Sequence, residues 1–257
     1  MARTVKLEFN KKRLRGFSGN QLKLIACFLM LCDSVGYMLI ENGVLYGLNA
    51  EYWSLALATE IGQRWYLFAR VLRFAGRMAF PIFAYLVAEG FAHSRNQRKY
   101  TFRMAVFALI SEVPFDLATR HLVFDMTYQN VLFTYTLALC ALLIIKRMRK
   151  LHIVLRLLVM GVFAVGAYYL RSDYGPLGVV FICLMYLLRK DRAAQLVTGT
   201  VLSAAESLSY YCISAISFVL IRFYNGKRGT APLKYFFYIF YPAHMLLFYG
   251  LVYFANR

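Results

Sequence analysis

The stretch Arg70–Glu89, RVLRFAGRMAFPIFAYLVAE, decides how the rest of the chain is read. It is apolar enough to belong to a membrane span, yet it carries three arginines and a glutamate. Arg70, Arg73 and Arg77 stand at i, i+3 and i+7, so they share one helix face. An arginine in the hydrocarbon core costs about 2.5 kcal/mol or more unless something partners it. The stretch therefore predicts carboxylates, or a polar cavity, on other spans that face it.

Composition extends that reading to the whole chain. Of 257 residues, 61% are hydrophobic, and the mean hydropathy is +0.54. Repeated apolar runs separated by short polar segments predict an all-α, polytopic transmembrane helical bundle of eight or nine spans. The formal charge is +18. In a soluble chain that would point to nucleic acid. Here 20 of the 30 Lys and Arg fall in segments read as lying on one face, the positive-inside pattern, so no nucleic-acid partner is expected. The first apolar run is too deep and too polar for a cleaved signal peptide. Cys27, Cys32, Cys140, Cys183 and Cys212 all lie in apolar runs and read as small core residues.

The expected organisation is a basic cytoplasmic tail, 1–20, and a single transmembrane domain, 21–257. Spans are expected at about 21–40, 65–92, 101–119, 130–146, 153–170, 176–188 and 234–254, with a kink at Pro81. Loop 41–63 holds Glu41, Glu51 and Glu60 and no Lys or Arg, which suits the face opposite the tail. Residues 53–61 read as an interfacial helix. The stretch 193–222 must go out and return, either as two short spans or as a re-entrant hairpin.

Counting ~1.5 Å per residue along each span puts Asp33, Glu112, Asp116, Arg77 and His244 near one depth on four spans. Buried titratable groups at one level predict a shared polar cavity. His244, in YPAHMLLF just after Pro242, is the candidate general base, with Asp33 and Glu112 beside it. Arg73, Arg77 and Asp116 are candidates for stabilising charge or orienting substrate. Asn130 and Thr134 either cap the span that opens at 130 or line the cavity mouth. In SDYGPLGV, Tyr174 and Gly175 read as a tight turn into a helix that starts at Pro176. Arg95, Arg98, Lys99, Lys227 and Arg228 form a basic edge that either holds phosphates or expresses positive-inside bias alone. The sequence has no HExxH, CxxC or paired-histidine spacing, so no metal is expected. It has no Walker, GxGxxG or GxSxG motif, which argues against an ATP-driven pump and a nucleophile-elbow hydrolase.

Several blocks taken together resemble the TraX family. They are LKLIACFLMLCDSVGYML, RMAFPIFAYLVAEGFAHSRNQRKY, FALISEVPFDLA, QNVLFT, SDYGPLGV, YNGKRG and YFFYIFYPAHMLL, in order over nearly the whole chain. The resemblance implies an integral-membrane acyltransferase of the bacterial cytoplasmic membrane. It implies acetyl-CoA or another acyl-CoA as donor, an amine or hydroxyl acceptor of unknown identity, and no metal. The family pattern has Asp-His in the first span, whereas this chain has Asp33-Ser34, so either His244 carries the proton transfer or the protein is inactive, altered or chemically different. Two further readings use the same residues: a proton- or anion-coupled transporter or flippase, and a non-catalytic scaffold.

Overall fold

The protein is described by a computed structural model over residues 16–148, 152–229 and 236–255. Most of the basic tail and Lys234 of the basic loop lie outside the described residues. The chain starts with α1, Gly19–Ser34, whose Ser18–Gln21 capping box satisfies the first-turn donors. Its Gly19 and Asn20 N–H groups donate to the carbonyls of Lys227 and Arg228, at 2.8 and 2.9 Å. The YNGKRG block thus works as a clasp on the start of the first helix.

From Val35 to Val44 the same helix continues with π-helical hydrogen bonding. Wider turns reverse the drift of i+4 positions, so Asp33, Tyr37 and Glu41 stay on the side that packs on the third helix. The expected loop at 41 is therefore corrected: Glu41 is helical, and its carboxylate pairs with Arg73 at 2.5 Å. A charge partner of that kind is what the arginine required.

The short α2, Ala50–Leu57, is capped by Asn49 and leads to α3, Glu60–Gly76, and α4, Ala79–His93. The break between α3 and α4 falls at Arg77–Met78, four residues before Pro81. Proline lacks an N–H and cannot bond back to the carbonyl of residue i−4. That carbonyl, on Arg77, instead accepts the Ser214 hydroxyl at 3.0 Å.

Next come α5, Gln97–Arg120, α6, Val131–Arg147, α7, Ile153–Tyr169, and α8, Gly175–Leu187. Pro176 sits in the first turn of α8, as the turn chemistry of SDYGP predicts. The ambiguous stretch folds into α9, Arg192–Glu206, two 3₁₀ turns, and α10, Ser217–Arg222. Arg192 donates to the Ile221 carbonyl at 2.6 Å, so the two arms start and end together. Their tip, at Tyr210 and Tyr211, meets Arg70, Phe74 and Arg77, in the middle part of the Glu60–His93 stretch. The chain closes with α11, Phe236–Ala255.

Among the described residues, three helical stretches are long and apolar enough to cross a membrane: Gly19–Val44, Glu60–His93 and Phe236–Ala255. Eight or nine spans are therefore not established. Two physical reasons apply: α6 and α7 have 17 residues and α8 has 13, against about 20 for a crossing, and α5, with 24, carries Arg103, Glu112 and Asp116 along its length. The core lies between α1, α4, α5, α6 and α8, where Ala26, Ala84, Ala108, Ala138 and Ala141 are fully buried. In lipid, such small residues let helices approach closely, and packing replaces hydrophobic transfer as the cohesive term. By contrast, α7 buries only Ala164 and Ala167, with Val159, Met160 and Phe163 half-buried against the core.

Candidate functional site

A cavity of about 800 Å³ runs through this bundle. One end carries Lys23, Arg103 and Arg228, with Glu89 and His93, 3.3 Å apart, beside them, and is cationic on balance. The waist is apolar and aromatic, with Phe83, Leu86, Val87, Tyr135 and Phe240 among its walls. The other end holds Asp33, Arg73, Arg77, Asp173 and Tyr128.

Helix packing builds the acidic end. A Cβ on Gly76 would lie 2.8 Å from the Asp33 Cα and 2.9 Å from its backbone nitrogen. Only a glycine there lets α1 and α3 approach closely enough for Asp33 to face the arginines. Asp33 Oδ1 is 3.8 Å from Arg73 Nε, and no described group donates a hydrogen bond to it. Arg73 is otherwise committed to Glu41 and lies over the Tyr37 ring at 4.8 Å. Arg77 is less engaged. It donates a long hydrogen bond of 3.5 Å to the Tyr210 hydroxyl, lies over that ring at 4.5 Å, and keeps an unpartnered Nε. Both arginines line the cavity and keep an unpartnered Nε, but they divide in charge: Arg73 is paired with Glu41 at 2.5 Å, whereas among the described residues no carboxylate lies within 4 Å of Arg77.

Asp173 comes from the turn between α7 and α8. Its Oδ1 accepts from the Tyr128 hydroxyl at 2.7 Å and from the Tyr174 N–H at 3.1 Å. Burial pushes its carboxyl above the ordinary range, against the Tyr128 hydrogen bond and the nearby Arg77. Left-handed backbone at Arg171, Tyr174 and Gly175 turns the chain so that Tyr174 stacks on Phe80, with centroids 3.6 Å apart. Sequence reasoning read this segment only as a turn and missed Asp173, and it missed Tyr128 as well. The available signal was an acidic residue in a left-handed turn following a span.

The expected single cluster is corrected in its membership. Glu112, Asp116 and His244 lie at the anticipated level but do not line the cavity. The Glu112 carboxylate accepts from the Asn130 side-chain amide, which also donates to the Ala108 carbonyl at 2.9 Å. Asp116 accepts from the Asp125 N–H at 2.8 Å. The His244 Nδ1 bonds the Phe240 carbonyl at 2.8 Å, and the ring is enclosed by Phe240, Tyr241 and Phe248. Depth sets the level of a side chain and leaves its direction around the helix open, and these three face α5–α6 and α11 contacts instead.

Asn130 proves to be the N-cap of α6, accepting from the Leu132 N–H at 3.0 Å. Thr134 donates to the Asp173 carbonyl at 2.5 Å and lies 2.8 Å from Ser172 Oγ, so it braces the Asp173 turn. Of the expected basic edge, Arg228 lines the cavity, while Arg95, Arg98, Lys99 and Lys227 do not. Lys23 and Arg103 take their place; Lys23 packs its ammonium 5.0 Å from the Phe237 ring centroid, and Arg103 retains an unpartnered Nε. No group of three or more His, Cys, Asp or Glu capable of holding a metal occurs among the described residues.

The sequence profile of the TraX protein family matches residues 18–252, which include every residue of this cavity. The chain belongs to the TraX family. One curated relative is the probable fimbrial assembly protein FimC, serogroup H1, of Dichelobacter nodosus, 29% identical over 255 residues. That match covers 90% of this chain and 94% of the relative. No solved structure matches. Within this TraX protein, the profile boundaries coincide with the clasp at Ser18 and with Val252 on the buried side of α11.

Proposed function

We propose that this protein is an integral-membrane acyltransferase that moves an acyl group, acetyl first among candidates, from acyl-CoA to an amine or hydroxyl acceptor. The observation that carries this reading is the single cavity with a cationic end, an apolar waist and an Asp–Arg end. Such a shape suits a donor with phosphates at one end and a slender arm ending in a thioester at the other. Lys23, Arg103 and Arg228 hold the phosphates through charge-assisted hydrogen bonds. The arm crosses the waist, and the thioester carbonyl lies near Asp33 and Arg77.

The step follows from those groups. The acceptor's nitrogen or oxygen attacks the thioester carbon, and Asp33 takes the proton lost by the acceptor. Arg77 stabilises the negative charge that develops on the carbonyl oxygen. The carbon–sulfur bond breaks, and the CoA thiolate leaves and recovers the proton from Asp33. Base function rests on Asp33 in this reading, because the His244 ring is turned away from the cavity. Donor supply places the Arg228 end and the N-terminus on the cytoplasmic side of a bacterial cytoplasmic membrane. The relative's name puts a fimbrial component first among the acceptors to be tried.

A test is calorimetric titration of the detergent-purified protein with acetyl-CoA and with CoA lacking its 3′-phosphate. Specific binding, weakened by loss of the phosphate and by Lys23→Ala with Arg228→Ala, is expected. No binding at millimolar donor sinks the reading. A charged group at each end of one cavity also favours a second reading, passage of a small anion. Uptake into proteoliposomes without acyl-CoA, and with no release of CoA thiol, would select it.

A further inference from the structure

The segment 121–126, HLVFDM, follows α5 on the way to α6, and its Asp125 is tied back to the protein. Arg120 donates to Asp125 Oδ2 at 2.6 Å and also to the Thr127 hydroxyl. The Thr127 N–H donates to Asp125 Oδ1 at 2.9 Å, and the Asp125 N–H donates to Asp116. Four of the six residues of the loop expose apolar side chains: Val123 is 68% exposed, Phe124 63% and Met126 74%, with Leu122 beside them; His121 is exposed too. Tyr168, Tyr169 and Leu170, at the neighbouring end of α7, are exposed as well, as is Arg171 after them. The Gln129 and Asp173 backbones tie the two segments together.

The level of this loop can be read from the helices it touches. The His121 ring packs on Tyr249 of α11, with centroids 5.7 Å apart. The helix goes on from Tyr249 to Ala255, about 9 Å farther at 1.5 Å per residue. Tyr128 bonds Asp173, which lies in the field of Arg77 and Asp33. From Asp33 the first helix goes on to Val44, about 16 Å farther, and from Arg77 α3 reaches back about 25 Å to Glu60. These helices pack on one another along that length and bear exposed Leu67, Phe68 and Val71 on α3. α11 thus stands about 9 Å beyond the loop's His121, over a quarter of a ~30 Å hydrocarbon core, and the first helix and α3 run about 16 and 25 Å beyond the Asp33–Arg77 level that Tyr128 reaches through Asp173. Meanwhile α6, α7 and α8 are too short to reach the same height.

We infer that loop 121–126 lies immersed in lipid acyl chains and that the cavity opens sideways into the bilayer beside it. The opening is marked by Arg120 and Tyr128, which line the cavity and are both exposed. Water filling this depression would meet a row of bare apolar side chains, whereas acyl chains meet them without penalty. Backbone at that depth must find hydrogen bonds inside the protein, and the Asp116–Asp125–Thr127 network supplies them. It also accounts for Asp116, a buried carboxylate that the acyl-transfer reading leaves unused. What passes this opening comes from, or leaves to, the lipid phase; the inference concerns access and stands whether or not the cavity performs acyl transfer.

The test uses tryptophan fluorescence in lipid nanodiscs. Trp53 and Trp65 are replaced by phenylalanine, and Phe124→Trp supplies the reporter, with Met126→Trp as a second placement should the first fail to fold. The probes are phosphatidylcholine brominated on its acyl chains and aqueous iodide. Loss of at least half the reporter's emission in brominated lipid, with little change in iodide, is expected. Strong quenching by iodide, or equal quenching by both, would place the loop in water and overturn the inference.

Discussion

Two sets of buried polar side chains lie at similar depth in this molecule and differ in what they do with their charge. Asp33, Arg77 and Asp173 converge on the cavity. Glu112, Asp116 and the α6 cap Asn130 are instead locked to backbone and to one another, and do not line it. Each set keeps a buried carboxylate oxygen without a hydrogen-bond partner, Asp33 Oδ1 in the first and Glu112 Oε1 and Asp116 Oδ1 in the second. The difference teaches that neither a buried charge nor an unpartnered atom marks a site by itself; the informative feature is such a group facing a space that something else can enter.

The contrast predicts a division between variants that remove activity and variants that remove stability. Arg77→Ala should lower transfer by roughly 10²–10³-fold while the protein still inserts and folds. Labelled acetyl transfer, with the melting profile as control, checks this. Gly76→Ala should reach nearly as far by another route: the added methyl meets Asp33 backbone, so α1 and α3 must separate. Loss of transfer is expected there together with a lower melting temperature.

On the locked side the order of effects reverses. Asn130→Ala removes an α6 cap worth about 1 kcal/mol and leaves the Glu112 carboxylate without its donor, so the melting temperature should fall. Residual folded protein should keep its transfer rate. A smaller effect is expected at the cationic end. Lys23→Ala or Arg103→Ala should each weaken acyl-CoA binding by roughly tenfold, the loss of one charge-assisted hydrogen bond. Joint replacement of Arg95, Arg98 and Lys99 should leave that affinity near its starting value, because none of them lines the cavity.

Much of the fold was legible in the sequence because it rests on periodicity and punctuation. Asn130 opening α6, Pro176 starting α8 and the basic segment after His93 mark boundaries by local chemistry. The TraX resemblance rested on ordered blocks and is borne out by the family profile. The candidate site was legible at Asp33 and Arg77, where charge within an apolar run demands an explanation. It was not legible at Asp173 or Tyr128, which reach the cavity from turns whose position depends on tertiary packing. The π-helical continuation to Val44 was hidden as well, since nothing in VGYMLIENGV separates it from a helix that ends at Ile40. His244 was placed at the right level and given the wrong neighbours for the same reason: a linear count of residues along a span carries no information about azimuth.

The most direct test compares one carboxylate from each set under the same assay. Labelled acetyl transfer from acetyl-CoA into membrane material is measured for Asp33→Asn and Glu112→Gln, both nearly isosteric. A loss of roughly 10²–10⁴-fold in Asp33→Asn, with Glu112→Gln close to the starting protein, is the predicted result. Unchanged transfer in Asp33→Asn, or its loss in Glu112→Gln alone, would contradict the assignment of chemistry to the cavity.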